Sequence, residues 1–227
     1  MKIDYKKYPT PRMRHHTAPN LYVRFEDFKV LPRYYPPLQP TLDWSLYYSN
    51  KLPPNALDIG CGRGGFLLEY AMQFPEMNIF GLEVRKQAVE WIDDIITGET
   101  IQNAGVLWYN TSNGLSFIED ESLHSVFYFF PDPWHKKKHH KRRAFTINLL
   151  QELNRTLSPN GMLYLMTDVP EVDMYQQELL KLHGGFDFNY ATDEEWILPR
   201  TDHENFSLKK DIPYIRAIVT KKFRSDI

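Results

Sequence analysis

From residue 56 onward, short apolar segments alternate with longer amphipathic ones, and this alternation restricts the fold more than any other feature. Segments 56–59, 78–82, 106–109, 125–130 and 162–166 are apolar runs of strand length, 125–130 being the most apolar. Segments 66–74, 85–96, 143–157 and 172–182 repeat apolar residues at helical spacing, as in Ala88, Val89, Ile92 and Ile96. Parallel strands need a crossover between them, and a helix supplies it. The pattern therefore predicts a mostly parallel α/β sheet with helices on both faces. Segments 186–190 and 214–220 add two late strands, paired antiparallel, for seven in all, and Ser158-Pro159-Asn160-Gly161 reads as a turn before the fifth strand.

The first 54 residues do not share this pattern. Pro9, Pro11, Pro19, Pro32, Pro36, Pro37, Pro40, Pro53 and Pro54 break any long helix. We read residues 1–44 as an irregular basic N-terminal arm, with roughly the first 20 residues mobile, and 45–227 as one folded domain. The opening Met-Lys-Ile-Asp-Tyr-Lys-Lys lacks the apolar stretch of a signal peptide. No run approaches the roughly 18 apolar residues of a membrane span, so a cytoplasmic protein is expected. A single cysteine, Cys61, excludes a disulfide framework and any Cys-rich zinc site.

Between the first strand and its helix lies Gly60-Cys61-Gly62-Arg63-Gly64-Gly65. Glycines at such a junction let the backbone approach a ligand closely, with a helix N-terminus behind it, although similar turns also serve packing alone. Glu83 ends the second strand, 23 residues after Gly60, where a carboxylate can accept both hydroxyls of a ribose. That pairing suits a nicotinamide dinucleotide or S-adenosylmethionine equally. Asp58, two residues before the first glycine, favours the second: it would repel phosphates and attract a cationic aminoacyl sulfonium. Its alternative role is a cap on the following turn.

The formal net charge of -2 conceals an asymmetry. Residues 1–35 carry a net +5 and residues 136–143, Lys-Lys-Lys-His-His-Lys-Arg-Arg, a net +6, leaving -13 for the remainder. A basic run is often only a solvated loop. This one follows Phe129-Phe130-Pro131-Asp132-Pro133-Trp134 at the end of the fourth strand, where open α/β sheets place their ligand crevice. An Asp held between two prolines and followed by cations is suited to a nucleic-acid substrate.

Leu57-Asp58-Ile59-Gly60-Cys61-Gly62-Arg63-Gly64-Gly65, Gly81-Leu82-Glu83-Val84-Arg85 and, above all, the stretch from Phe130 to Arg143 resemble the tRNA (guanine-N7-)-methyltransferase family over about residues 45–222. The resemblance implies a class I methyltransferase Rossmann-like fold and S-adenosyl-L-methionine as methyl donor. It also implies guanosine 46 of the tRNA variable loop as substrate. The eight histidines show no metal-ligand spacing, so no metal is expected. Cofactor contacts would fall to Asp58, Gly60, Gly62, Glu83, Asn110 and Asp132, Asn110 standing where many members have Asp. Asp132 would also be the catalytic residue. Substrate contacts would fall to Lys136, Asp168 and the Thr201-Asp202-His203-Glu204 segment. The partner would be tRNA, and a bacterial-type member would act as a monomer or homodimer without a protein partner. The competing readings are an NAD-dependent oxidoreductase, a methyltransferase acting on another base nitrogen or on protein, and a non-catalytic RNA-binding protein.

Overall fold

Strand β1 (Ala56–Ile59) is buried along its whole length, as a strand covered on both faces must be. It is an interior strand, between β2 and β4, of a seven-stranded sheet whose order is β3-β2-β1-β4-β5-β7-β6. The other strands are β2 (Ile79–Glu83), β3 (Ala104–Trp108), β4 (Leu123–Phe129), β5 (Leu157–Thr167), β6 (Phe186–Tyr190) and β7 (Ile215–Lys221). β7 runs antiparallel to both β5 and β6, and every other pairing is parallel. The strand order reverses direction between β1 and β4, which opens a crevice at their carboxyl ends. In this computed structural model the described residues are 3–13, 23–136, 139 and 142–222. Lys2, Arg14, Lys137, Lys138, His140 and Lys141, counted above among the basic segments, lie outside them.

The alternation of side chains along each strand builds two cores. Leu57, Ile59, Phe80, Leu82, Val126 and Tyr128 face helices α3 (Ile147–Thr156) and α4 (Pro170–His183). Ala56, Ile79, Val106 and Phe127 face α1 (Gly65–Gln73) and α2 (Lys86–Gly98). Asp58 shares the second face and is 4% exposed.

Three elements depart from the sequence expectation. Helix α3, expected over 143–157, starts only at Ile147, where the Thr146 side chain caps it by accepting the Leu149 N–H, so Arg143 lies in the preceding loop. The segment 158–161 lies inside β5, where the register jumps from Leu123↔Leu157 to Ser125↔Met162. The turn residues thus survive as an irregularity within the strand. Helix α5 (Asp202–Lys210) lies between β6 and β7, where the sequence pattern gives no helix. Its sequence has no apolar stripe. It starts from a capping box, in which Thr201 Oγ1 accepts the Glu204 N–H and Glu204 Oε2 accepts the Thr201 N–H, and it ends in two lysines that suit the C-terminal dipole.

Residues 3–13 and 23–55 form only short 3-10 turns but rest on the domain. Lys7 and Tyr8 both reach Glu99 at the end of α2, Tyr5 stacks on Trp91, and buried Tyr48 donates to the Ile79 carbonyl. Among the described residues no helix is long and apolar enough to cross a membrane.

Candidate active site

The loop after β1 is built on left-handed backbone. Gly60, Gly62 and Gly64 have φ of +75°, +61° and +70°, a region that side chains with a Cβ rarely adopt. At Gly64 there is also no room: a Cβ would lie 2.8 Å from Ile92 Cγ1 of α2. The loop is fixed to β2, with Gly60 and Cys61 N–H both donating to the Leu82 carbonyl. Burial, with Asp58 and Glu83 nearby, pushes the Cys61 thiol well up and leaves it protonated.

Glu83 closes this arrangement. Its Oε2 accepts the Gly62 N–H at 3.0 Å, and its Oε1 accepts the Arg85 N–H and Nε–H, each at 2.9 Å. Arg85 Nη2 adds a contact at 3.2 Å. The carboxylate is thus held in place by the glycine loop and by its own strand end. Asp58 lies beneath the loop with Oδ2 buried and without a hydrogen-bond partner. Burial, with Glu83 as a second cause, raises its pKa to about 8.

Asn110 begins the turn after β3. Its Oδ1 accepts the Ser112 N–H, while Nδ2 donates to the Val23 carbonyl at 2.9 Å and to the Tyr35 hydroxyl at 2.7 Å. The arm therefore takes up the side-chain amide of Asn110.

The loop after β4 carries Asp132 between two residues of positive φ, Phe130 (+44°) and Trp134 (+47°). Such conformations cost about 1–3 kcal/mol each and persist where neighbours enforce them. The Phe130 N–H donates to the Met166 carbonyl, and Arg143 donates twice to the Pro133 carbonyl. One pocket of about 190 Å³ brings Gly60, Glu83, Asn110 and Asp132 together, with Arg85, Phe130, Trp134 and Arg142 also on its wall.

The remaining expected residues stand beside this pocket. Asp168, just after β5, lies 3.1 Å from His203 Nε2, and the His203 ring sits against Phe130 with centroids 4.1 Å apart. Thr201 and Glu204 are buried in the capping box, and Glu204 Oε1 also accepts Arg216 Nη2 at 2.7 Å. Asp202 is exposed, its carboxylate against Gly65 at the start of α1. Lys136 is exposed. Among the described residues no group of three or more His, Cys, Asp or Glu could hold a metal ion.

Comparison with known proteins gives the family. Residues 53–214 match a family described as a putative methyltransferase. A tRNA (guanine-N(7)-)-methyltransferase of Thermosynechococcus vestitus is 38% identical over 159 residues, covering 70% of this chain and 73% of that protein. One from Eremothecium gossypii is 31% identical over 214 residues, covering 86% and 72%. The chain belongs to the tRNA (guanine-N(7)-)-methyltransferase family.

For a member of this family the sheet is the expected one. The crystal structure of an aminoglycoside resistance methyltransferase superposes with a TM-score of 0.56 at 17% identity, covering 78% of this chain and 89% of that one, so the two share a fold. An oxidoreductase is set aside by membership of this methyltransferase family. Sequence reasoning missed Arg85, Tyr35, Arg143 and Arg216 as parts of the site's framework. Arg143 was read as one more cation of the basic run, and no local pattern distinguishes it from its neighbours.

Proposed function

We propose that this protein transfers a methyl group from S-adenosyl-L-methionine to N7 of guanosine 46 in the tRNA variable loop. The observation that carries the reading is the convergence of Glu83 and Asp132, from the ends of β2 and β4, on one pocket beside the glycine loop. The residues present suit the donor. Glu83 is a buried carboxylate on the pocket wall, held by two backbone N–H groups and suited to accept the hydroxyls of a diol, and Asp58 is a buried acid with an unpartnered oxygen beneath the loop. Arg85 now occupies Glu83, so a ribose would take over hydrogen bonds that its guanidinium makes. Asn110 would meet an adenine edge with its main chain, because its side chain is committed to Val23, Tyr35 and Ser112.

The donor supplies, when bound, an electrophilic methyl group on a sulfonium. Guanine N7 has an in-plane lone pair and no proton at neutral pH, so the protein needs no strong general base. Its task is alignment. Asp132, set on a loop constrained at Phe130, Pro131, Pro133 and Trp134, accepts hydrogen bonds from the guanine edge and stabilises the positive charge that the ring acquires. Asp168 and His203 form the neighbouring wall through Phe130. Thr201 and Glu204 act by holding α5, and so His203, in place. Freeing the guanine from its tertiary contacts costs about a few kcal/mol. Phosphate contacts from Lys136 and the basic arm offset that cost.

Labelled donor and unmodified tRNA, followed by mapping of the modified nucleotide, test the reading. N7-methylguanosine at position 46 is expected, and Asp132→Ala should abolish it while leaving the fold intact. A methyl at another nitrogen or on protein would select the rival methyltransferase, and near-normal turnover by Asp132→Ala would remove Asp132 from the mechanism.

A further inference from the structure

We propose that Arg143 is a positioning residue that ties the Asp132 loop to the Asp168 loop, and is not a phosphate contact of the basic run to which it belongs in sequence. This rests on the role assigned above to Asp132.

The side chain of Arg143 is turned inward; the residue is 6% exposed. Its Nε and Nη2 donate to the Pro133 carbonyl at 3.0 and 2.8 Å, one residue beyond Asp132. Nη2 also meets Glu171 Oε1 at 2.7 Å, in the first turn of α4 and three residues after Asp168. The guanidinium lies over the Tyr175 ring at 4.5 Å, and the Tyr175 hydroxyl donates to the Phe145 carbonyl. His135 Nδ1 approaches the other oxygen of Glu171 at 3.7 Å, a second stitch between the same two loops when the imidazole is protonated.

A planar fork is the group suited to this junction, because it serves a carbonyl and a carboxylate at once in fixed directions. A phosphate could reach Arg143 only by undoing those contacts. By contrast Lys136 is exposed, and Arg142, which lines the pocket as Arg143 does, lies over the Trp134 ring at 5.0 Å. Among the described cations of the run, Arg143 is buried and Lys136 is exposed. Phe130 and Trp134, both at positive φ, bracket the segment whose Pro133 carbonyl Arg143 holds.

Arg143→Lys keeps the charge and loses the fork. Steady-state methylation of tRNA should show kcat falling on the order of 100-fold. KM for tRNA and its dependence on salt should stay unchanged. Hydrogen exchange at Asp132, Trp134 and His135 should accelerate. A raised KM with unchanged kcat, and a salt slope reduced by about one, would make Arg143 a phosphate contact and overturn the proposal. So would unchanged kcat and exchange. If Arg143→Lys does not fold, Glu171→Gln decides: a smaller fall in kcat with faster exchange in the same loop supports the tie, and unaltered values refute it. Failure of the wild-type protein to methylate tRNA would overturn the functional reading alone, since the exchange measurement still reports whether Arg143 holds the loop.

Discussion

Replacing Asp58 by Asn should stabilise the free protein above neutral pH while weakening its hold on the methyl donor. Asp58 is on a strand buried along its whole length, its Oδ2 has no partner, and its pKa is raised from 3.8 to about 8, chiefly by burial and then by Glu83. A carboxyl whose folded-state value exceeds its unfolded value takes up a proton on folding. Its cost is absent below the unfolded value, grows as pH rises, and is complete once pH passes the folded value. Across that window the wild-type protein should lose about 1.4 kcal/mol per pH unit relative to Asp58→Asn, or about 3 kcal/mol from pH 5 to pH 7. Urea unfolding of both proteins through this range measures the difference directly, because every other titrating group is common to the two. A cationic ligand beside Asp58 favours its ionised form. Binding of S-adenosylmethionine below pH 8 should therefore release a proton, visible in calorimetry as a heat that depends on the buffer, and Asp58→Asn should abolish that release. Unfolding curves whose separation does not change with pH would refute the reasoning, since they would mean that Asp58 has an ordinary acidity in the folded chain.

Two further outcomes follow from the framework around the pocket. Glu204→Ala should cost about 1–3 kcal/mol in urea unfolding, because it opens the capping box and removes one of the two carboxylates that pair with Arg216, Asp193 being the other; a loss below about 0.5 kcal/mol would show that these contacts do not hold α5 in place. Tyr35→Phe removes the hydroxyl that donates to the Val23 carbonyl and accepts from Asn110 and Asn113. It should lower stability by about 1–3 kcal/mol and weaken donor affinity measured by calorimetry, and an unchanged affinity would separate the arm from the cofactor site.

Much of the site was legible because its parts are local. The strand-to-helix turn needs glycines at Gly60, Gly62 and Gly64, and Glu83 ends the next strand, so one crossover unit brings loop and acid together. Asp132 between its prolines announced a rigid loop for the same reason. The Thr201 to Glu204 segment was legible only as a motif. Its resemblance to the family implies contact with substrate; its local geometry is a capping box that starts α5 and sets His203 against Asp168 and Phe130. Helix α5 escaped notice because it is stabilised at its ends and not by an apolar stripe.

The sequence by itself determined the order of strands and helices, the placement of the glycine loop and Asp132 at strand ends, and the concentration of positive charge in two segments. These depend on periodicity, glycine and proline geometry, and composition, all of which act over a few residues. Only the tertiary structure decided what each charge does. Burial and partners separate Arg143, folded onto Pro133 and Glu171, from exposed Lys136, and give Arg85 to Glu83 and Arg216 to Glu204. A side chain's charge is fixed by its chemistry, but whether it meets solvent, a phosphate or another part of the chain depends on distant residues that packing brings beside it.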